Sequence, residues 1–473
     1  MSRSVKWLPI QATMFLASLF AISASTVVGA GIEVIVSTVG PKADVGIDGR
    51  TVSIMRDFKL SEDGSWWSTT LALDNSDPNN DYIHVRGQGN AVSDIVVREG
   101  VASLTSFPGV TGLIDIISPT LIPSVSNNGS VAGYIKNKTA GEPDGFIYKY
   151  DGSVSIVAGQ DQLVPAPGYG TGDETYGVIM HSPNMLANGQ VAFIANGTGG
   201  SLPTTEDDVA LTADGTVLAG QQTGATVYGA VPNDAPLAIF DSEDYFMSED
   251  GSTFLFQGDT TASSSFDDVV VYGAIGTAGT VVLQEGVTPI AGDFYDESYQ
   301  VALAGNGDWY ASGDTTDNTH VTIRNGQVLE QEGMLAPNGH LYTSVSFGAI
   351  DGNSSGNYIS LWDTDKPDST TDEILVYNGS TVLLTEGDEV MLDMGNGPEA
   401  YLINEFWNFA AEIGDDGYVY TMVTLGDPLT GANNGNAFIR LRAVPEPGSI
   451  ALVAGGLIVA LGSSIRRRFA VAK

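Results

Sequence analysis

The stretch DEILVYNGSTVLLTEGDEV, residues 372–390, spells out a β-hairpin. Ile374, Leu375 and Val376 form an aliphatic run that ends in Tyr377. Asn378 and Gly379 suit the two positive φ angles of a type I′ turn, and Val382, Leu383 and Leu384 return. Glu386-Gly387-Asp388 then breaks the strand. The phrase recurs as DIVVREG (94–100), DGFIYKYDGSVSIVAG (144–159), DDVALTADGTVLAG (207–220), DDVVVYGAIGTAGTVVLQEG (267–286) and THVTIRNGQVLEQEG (319–333). A last instance, NAFIRL (436–441), stops after one strand.

Each of these hairpins is preceded or followed by another that turns on a glycine. These glycines are Gly64, Gly129, Gly189, Gly251, Gly307, Gly356 and Gly417, at intervals of 49 to 65 residues. Two hairpins make a four-stranded antiparallel sheet, which cannot bury both of its faces alone, so neighbouring sheets must stack. The expected fold is therefore all-β: a β-propeller of about seven four-stranded blades. The last unit lacks its outermost strand, while the apolar run IEVIVSTVG near the start is unpaired; residues 32–38 are expected to complete the last blade and close the ring. RTVSIMRDF (50–58) then opens the first blade. Residues 105–122, 160–181 and 221–245 lack strand periodicity and read as long connections between blades. The LANGQVAFIA phrase (186–195) is similar to tandem-repeat propeller-like modules of bacterial surface proteins.

The 473 residues carry 57 Asp and Glu against 19 Lys and Arg, a formal net charge of −38. Arg3, Lys6, Arg466, Arg467, Arg468 and Lys473 lie in the two ends, so the body is more acidic still. Such a surface repels nucleic acid and anionic lipid and attracts cations. With no cysteine, disulfides and thiol chemistry are excluded, and stability must come from burial and ring closure.

Both ends read as addresses. Residues 1–30 place Arg3 and Lys6 before an apolar stretch and a small-residue site, Val28-Gly29-Ala30, as in a signal peptide helix cut after Ala30. At the other end Val444-Pro445-Glu446-Pro447-Gly448 precedes an apolar segment (449–465), long enough for a marginal transmembrane helix, and then Arg466-Arg467-Arg468 as a cytoplasmic basic stop. This tripartite tail resembles the PEP-CTERM sorting signal of Gram-negative bacteria. The resemblance implies an exosortase-type processing enzyme as partner, an inner-membrane anchored precursor, and release to the cell surface or extracellular matrix. The expected organisation is thus signal peptide (1–30), propeller (31–443) and sorting signal (444–473).

Candidate chemistry in the body is sparse. His84, His181, His320 and His340 fall in different units without metal-site spacing, and His84 and His320 lie in strand-like runs that suit packing. No GxSxG and no P-loop lysine occur. Acidic loops such as DNSDPNND (74–81) and DTDKPDSTTD (363–372) offer Asp74, Asp77, Asp81, Asp363, Asp365 and Asp368 as calcium ligands, although such residues more often supply turn hydrogen bonds. No other cofactor is expected. Trp66, Trp67, Trp309, Trp362 and Trp407 suit cores between blades, with sugar stacking as the sharper alternative. Trp66 and Trp67 are adjacent, so in a strand they point to opposite faces. Taken together, these residues describe an exported, non-catalytic propeller that binds polysaccharide or an envelope protein. The alternative is a carbohydrate-active enzyme whose carboxylates converge at the central channel.

Overall fold

The computed structural model describes residues 31–443 except 75–80, 101–111, 113, 117–121, 138–144, 166–171, 203–206, 221–236 and 275–278. Seven antiparallel sheets stand around one axis, six built from consecutive strands and the seventh from the last strands together with the first. Blade one runs Val52–Leu60, Trp67–Leu73, Tyr82–Gln88 and Ala91–Arg98 from the axis outward. The first strands of the seven blades touch in sequence: Val52–Leu60, Ser124–Val125, Thr175–Met185, Leu237–Met247, Asp293–Leu303, Tyr342–Gly352 and Pro398–Ile413, the last returning to the first. These strands wall the central channel.

The seven turn glycines join first strand to second in every blade, with φ between 71 and 83°. A residue with a Cβ is strained there, which is why the glycine recurs. The turn is closed locally: the Gly64, Gly189 and Gly417 amides donate to the carbonyls of Ser61, Leu186 and Gly414 at 2.9, 2.9 and 3.1 Å. Asp63, Asn128, Asn188 and Asp250 cap it by accepting the amide two residues on, at 2.8–2.9 Å. The outer hairpin of residues 372–390 is as expected, with φ of 49° at Asn378 and 59° at Gly379.

The closing strand also falls where the sequence places it. Glu33–Ser37 pairs antiparallel with Asn433–Arg442, setting Glu33 opposite Arg440 and Ser37 opposite Ala437. Val34, Ile35 and Val36 are buried there, and Arg440 holds Glu33 at 2.8 Å.

Two expectations are corrected. Blades are not uniformly four-stranded: four have four strands and three have five. Blade two has three full strands, its first being split into Ile114–Asp115 and Ser124–Val125; blades five and seven gain the short strands Pro289–Ile290 and Glu389–Asp393. The segments read as connections at 160–181 and 221–245 contain most of two inner strands, Thr175–Met185 and Leu237–Met247. Their pairing is interrupted between Tyr176 and Met180 and between Phe240 and Tyr245, which destroys the alternation a strand would show. Among the described residues no helix is long and apolar enough to cross a membrane. The expected signal helix (1–30) and transmembrane helix (449–465) lie outside the described residues.

Apolar packing lies between blades, as stacking requires. Val96, Val97, Val131 and Phe146 join blades one and two, and Leu361, Leu375, Ile403 and Val423 join six and seven. Phe58, Trp67, Met422 and Phe438 seal the junction of seven and one, where the Phe58 and Phe438 rings lie 4.5 Å apart.

Candidate functional site

At the end of the channel where the seven turns lie, a cavity of about 130 Å³ is lined by residues of all seven inner strands. Its polar walls include Lys59, Glu62, Ser124, Asn184, Glu249, Gln300, Asp351 and Glu412. Met185, Phe246, Met247 and Leu303 are among its apolar lining. Four of the polar residues share one position in their blade. Ser124, Asn184, Asp351 and Glu412 each stand five residues before their turn glycine.

At that position the side chain reaches the next blade. The Met185 amide donates to Ser124 Oγ at 2.7 Å, and Met247 to Asn184 Oδ1 at 3.2 Å. Ile413 donates to Asp351 Oδ2 at 2.8 Å and Leu60 to Glu412 Oε2 at 2.7 Å, the latter carrying the series across the closure of the ring. Gln300 serves the junction of blades five and six from two residues further up its strand, accepting the Ile350 amide at 3.0 Å. Lys59 stands at the equivalent place in blade one and cannot accept; its ammonium lies 3.2 Å from Glu412 and 5.2 Å from the Phe246 ring centre.

The electrostatics follow from this crowding. Burial pushes the Asp351 carboxyl up to about 8, and the Glu412 charge adds to the effect. Burial opposes the charge on Lys59, but Glu412, Asp57 and Asp351 outweigh it and hold its proton more tightly than usual.

Below them the turns cross the axis. The Glu249 amide of blade four donates to Glu62 Oε1 of blade one. Glu249 Oε1 in turn accepts the Asn127 amide of blade two at 2.5 Å, and the Asp63 amide donates to Asn127 Oδ1 at 2.9 Å. Glu249 is 5% exposed, and its Oε2 is buried without a hydrogen-bond partner. Burial raises the Glu249 carboxyl to about 7, helped by the nearby Glu62, whose own carboxyl burial also raises.

A second set of contacts ties the outside of the turns. Arg86 donates to the Gly129 carbonyl of the next blade, while Arg324 reaches that of Gly356 at 3.0 Å and Lys149 that of Gly189 at 3.5 Å. Tyr420 Oη reaches the Gly64 carbonyl at 3.2 Å. Arg86 also lies 4.7 Å from the Trp66 ring centre and 4.8 Å from that of Tyr150. Several of the few cations of this chain are therefore clamps between blades.

The opposite end carries the loops in which the sequence placed calcium ligands. Asp74 Oδ1 accepts the Thr51 amide at 2.6 Å, Asp363 the Ser344 hydroxyl at 2.5 Å, Asp365 the Leu341 amide at 2.9 Å, and Asp368 the Thr370 hydroxyl at 2.8 Å. The Asp81 amide lies on Glu99 Oε2 at 3.2 Å, and Asp77 lies outside the described residues. Among the described residues no three His, Asp or Glu side chains gather so as to hold a metal ion. Ala30, Val444, Pro445, Glu446, Pro447, Gly448, Arg466, Arg467 and Arg468 also lie outside the described residues.

His84 is fully buried, with Nδ1 2.6 Å from Tyr148 Oη, and burial lowers it to about 3. Trp67, Trp309 and Trp362 are core residues, and Trp66 and Trp407 pack part-buried against cores. The residues of the channel latch were missed by sequence reading. Aligning the seven units on their turn glycines puts Ser124, Asn184, Asp351 and Glu412 in one column, but that column also holds Lys59, Phe246 and Ala302 and so shows no shared chemistry.

No protein-family model matches the chain, and no curated protein does. Among solved structures, a puromycin hydrolase aligns at 11% identity over 85% of this chain and 55% of that one, with a TM-score of 0.40. This chain thus spans about half the length of that protein. An α-L-arabinofuranosidase of Fusarium graminearum aligns at 9% over 82% and 93%, TM-score 0.31, and a Trypanosoma rangeli sialidase at 10% over 86% and 56%, TM-score 0.32. Similarity this low assigns no activity to this chain.

Proposed function

We propose that this chain is an exported, non-catalytic propeller, delivered to the cell surface or matrix through its PEP-type tail, where it binds polysaccharide or an envelope protein. The observation that carries the non-catalytic part is the use of the channel carboxylates. Glu62, Glu249, Asp351 and Glu412 all accept backbone amides of other blades. A general acid or base must present its carboxyl to a substrate, whereas these hold the ring together. Delivery is supported by the tail, in which Pro445-Glu446-Pro447, an apolar segment and Arg466-Arg467-Arg468 follow in order.

The test has two arms. Residues 31–443, offered a panel of bacterial polysaccharides, should release no new reducing ends or unsaturated sugars; product formation overturns the non-catalytic reading. Mass spectrometry of the mature C-terminus from cells should find a cut near Pro445-Glu446-Pro447, and an intact C-terminus on the surface form overturns the sorting reading.

A second reading, a glycosidase or lyase, is favoured by one observation. The Glu249 carboxyl titrates at about 7 beside the 130 Å³ cavity, with one oxygen unpartnered. If product does form, Glu249→Gln should abolish it. Diffuse calcium uptake by the acidic loops belongs to the first reading, and a melting temperature higher in millimolar calcium than in chelator would support it.

A further inference from the structure

The acids of the channel cavity fall into two groups of unlike balance. Glu412 has Lys59 at 3.2 Å, and Asp351 also bears on that lysine. Glu62 and Glu249, at the level of the turns, meet each other instead. Lys59 is the one basic side chain among the described residues that line the cavity, and Glu412 engages it. The charges that bear on Glu62 and Glu249 from the neighbouring turns, those of Asp63, Asp250 and Asp415, are negative as well.

Each of the two glutamates spends one oxygen on the ring. Glu62 Oε1 accepts the Glu249 amide, and Glu249 Oε1 accepts that of Asn127. Glu249 Oε2 is left over, an acceptor without a donor on a side chain only 5% exposed. A buried acceptor of this kind is costly unless a donor reaches it. Glu62 Oε2 lies over Gly305, where an added Cβ would collide with it. Gly305 has no positive φ, so its backbone does not demand glycine. The missing side chain leaves the Glu62 carboxyl its room.

The size and walls of the cavity select the kind of cation. About 130 Å³ has room for roughly ten waters, far more than a bare metal ion fills. Among the described residues no three His, Asp or Glu side chains gather to hold a metal, and a hard divalent ion wants six or more oxygens. Met185, Phe246, Met247 and Leu303 offer apolar surface beside the two carboxyls, which suits a hydrocarbon stem.

We propose that the channel cavity is a binding site for a small organic cation, an alkylammonium compound whose charged end lies between Glu62 and Glu249 and whose stem lies on the apolar wall. The ammonium supplies the donor that Glu249 Oε2 lacks. One oxygen of each glutamate stays on its backbone amide, so the ligand enters a ring that is already closed. This site goes beyond the reading of the chain as an exported binder and does not depend on the tail.

Calorimetric titration of the full-length chain with n-butylamine, n-butanol and calcium chloride tests it. The amine should bind once per chain, and the alcohol of the same stem should not bind. Glu62→Gln and Glu249→Gln keep an oxygen for their amides, and each should weaken the amine roughly 10–100-fold, as for loss of a charged hydrogen bond. Gly305→Ala should weaken it as well, by pushing Glu62 aside. Asp317→Asn removes a charge from an exposed loop and should leave the affinity unchanged. Near-ultraviolet circular dichroism matching the parent's qualifies each variant as folded; if one glutamine variant fails, the other carries the test. Absence of amine binding, equal binding of the alcohol, or an equal loss in Asp317→Asn overturns the site. Calcium that displaces the amine, and is itself lost in the glutamine variants, overturns the organic class of ligand. None of these outcomes bears on the polysaccharide assay or the mature C-terminus, so the two readings fail separately.

Discussion

Arg324 shows how much one side chain carries here. It donates to the Gly356 carbonyl at 3.0 Å and to Asp308 at 2.5 Å, and it lies 5.7 Å from the Tyr310 ring centre. Arg324→Met keeps the apolar stem and removes all of the donors. It should destabilise the fold by about 1–3 kcal/mol, because Asp308 and a carbonyl lose a charged partner. Denaturant unfolding checks this, and an unchanged midpoint would remove the clamp from the account. The turn glycines were legible at this scale because positive φ leaves few residue types to choose from. The latch residues were not, since Ser124, Asn184, Asp351 and Glu412 share a role and not a chemistry. Each needs only an oxygen able to reach an amide of the next blade, and sequence does not display the next blade.

Among the elements, the closing strand was the most legible and the inner strands the least. Glu33–Ser37 reads as an apolar run without a partner, and Asn433–Arg442 as a strand lacking its neighbour, so the match could be made by elimination. Thr175–Met185 and Leu237–Met247 hid because bulges interrupt their pairing. Acidic residues such as those of FDSEDYF, 240–246, then look like loop sequence. The energetic counterpart is testable at Val36, which is fully buried opposite Phe438. Val36→Ala should cost roughly 2–3 kcal/mol through lost burial and the cavity it leaves. Calorimetry should show a lower melting temperature, and a loss no larger than that of an exposed control such as Ser53→Ala would mean the strand does not seal the ring.

For the whole molecule, acidity and stability are coupled through the channel. The Asp351 carboxyl ordinarily titrates near 3.8 and does so at about 8 in the folded ring; Glu249 moves from 4.5 to about 7. Between those limits the folded state holds protons that the unfolded chain has released. Stability is therefore greatest on the acid side of the window and falls as pH rises through it. The melting temperature should rise as pH is lowered from 8 to 5, and Asp351→Asn should flatten that slope while still accepting the Ile413 amide. A wild-type profile that is flat, or a slope untouched in the variant, would contradict this assignment. The repeat number, the blade order and the seam were legible at this scale from periodicity alone. The channel was not, because it exists only where seven separated segments converge.

The meeting of Glu33 and Ala443 beside one turn, where Arg440 holds Glu33 and the Ala443 amide donates to the Gly417 carbonyl at 3.1 Å, has a consequence for connectivity. A circle whose start and finish coincide has no privileged first sector, so its opening can be moved. Joining 443 to 31 by a short glycine-serine bridge and cutting between Asn325 and Gly326 would give a circular permutant with new termini at an exposed outer turn. It should fold to the same ring, with every blade made from one continuous piece of chain except the one that is cut. The difference in melting temperature between that permutant and the parent would measure how far the natural opening limits the endurance of the whole.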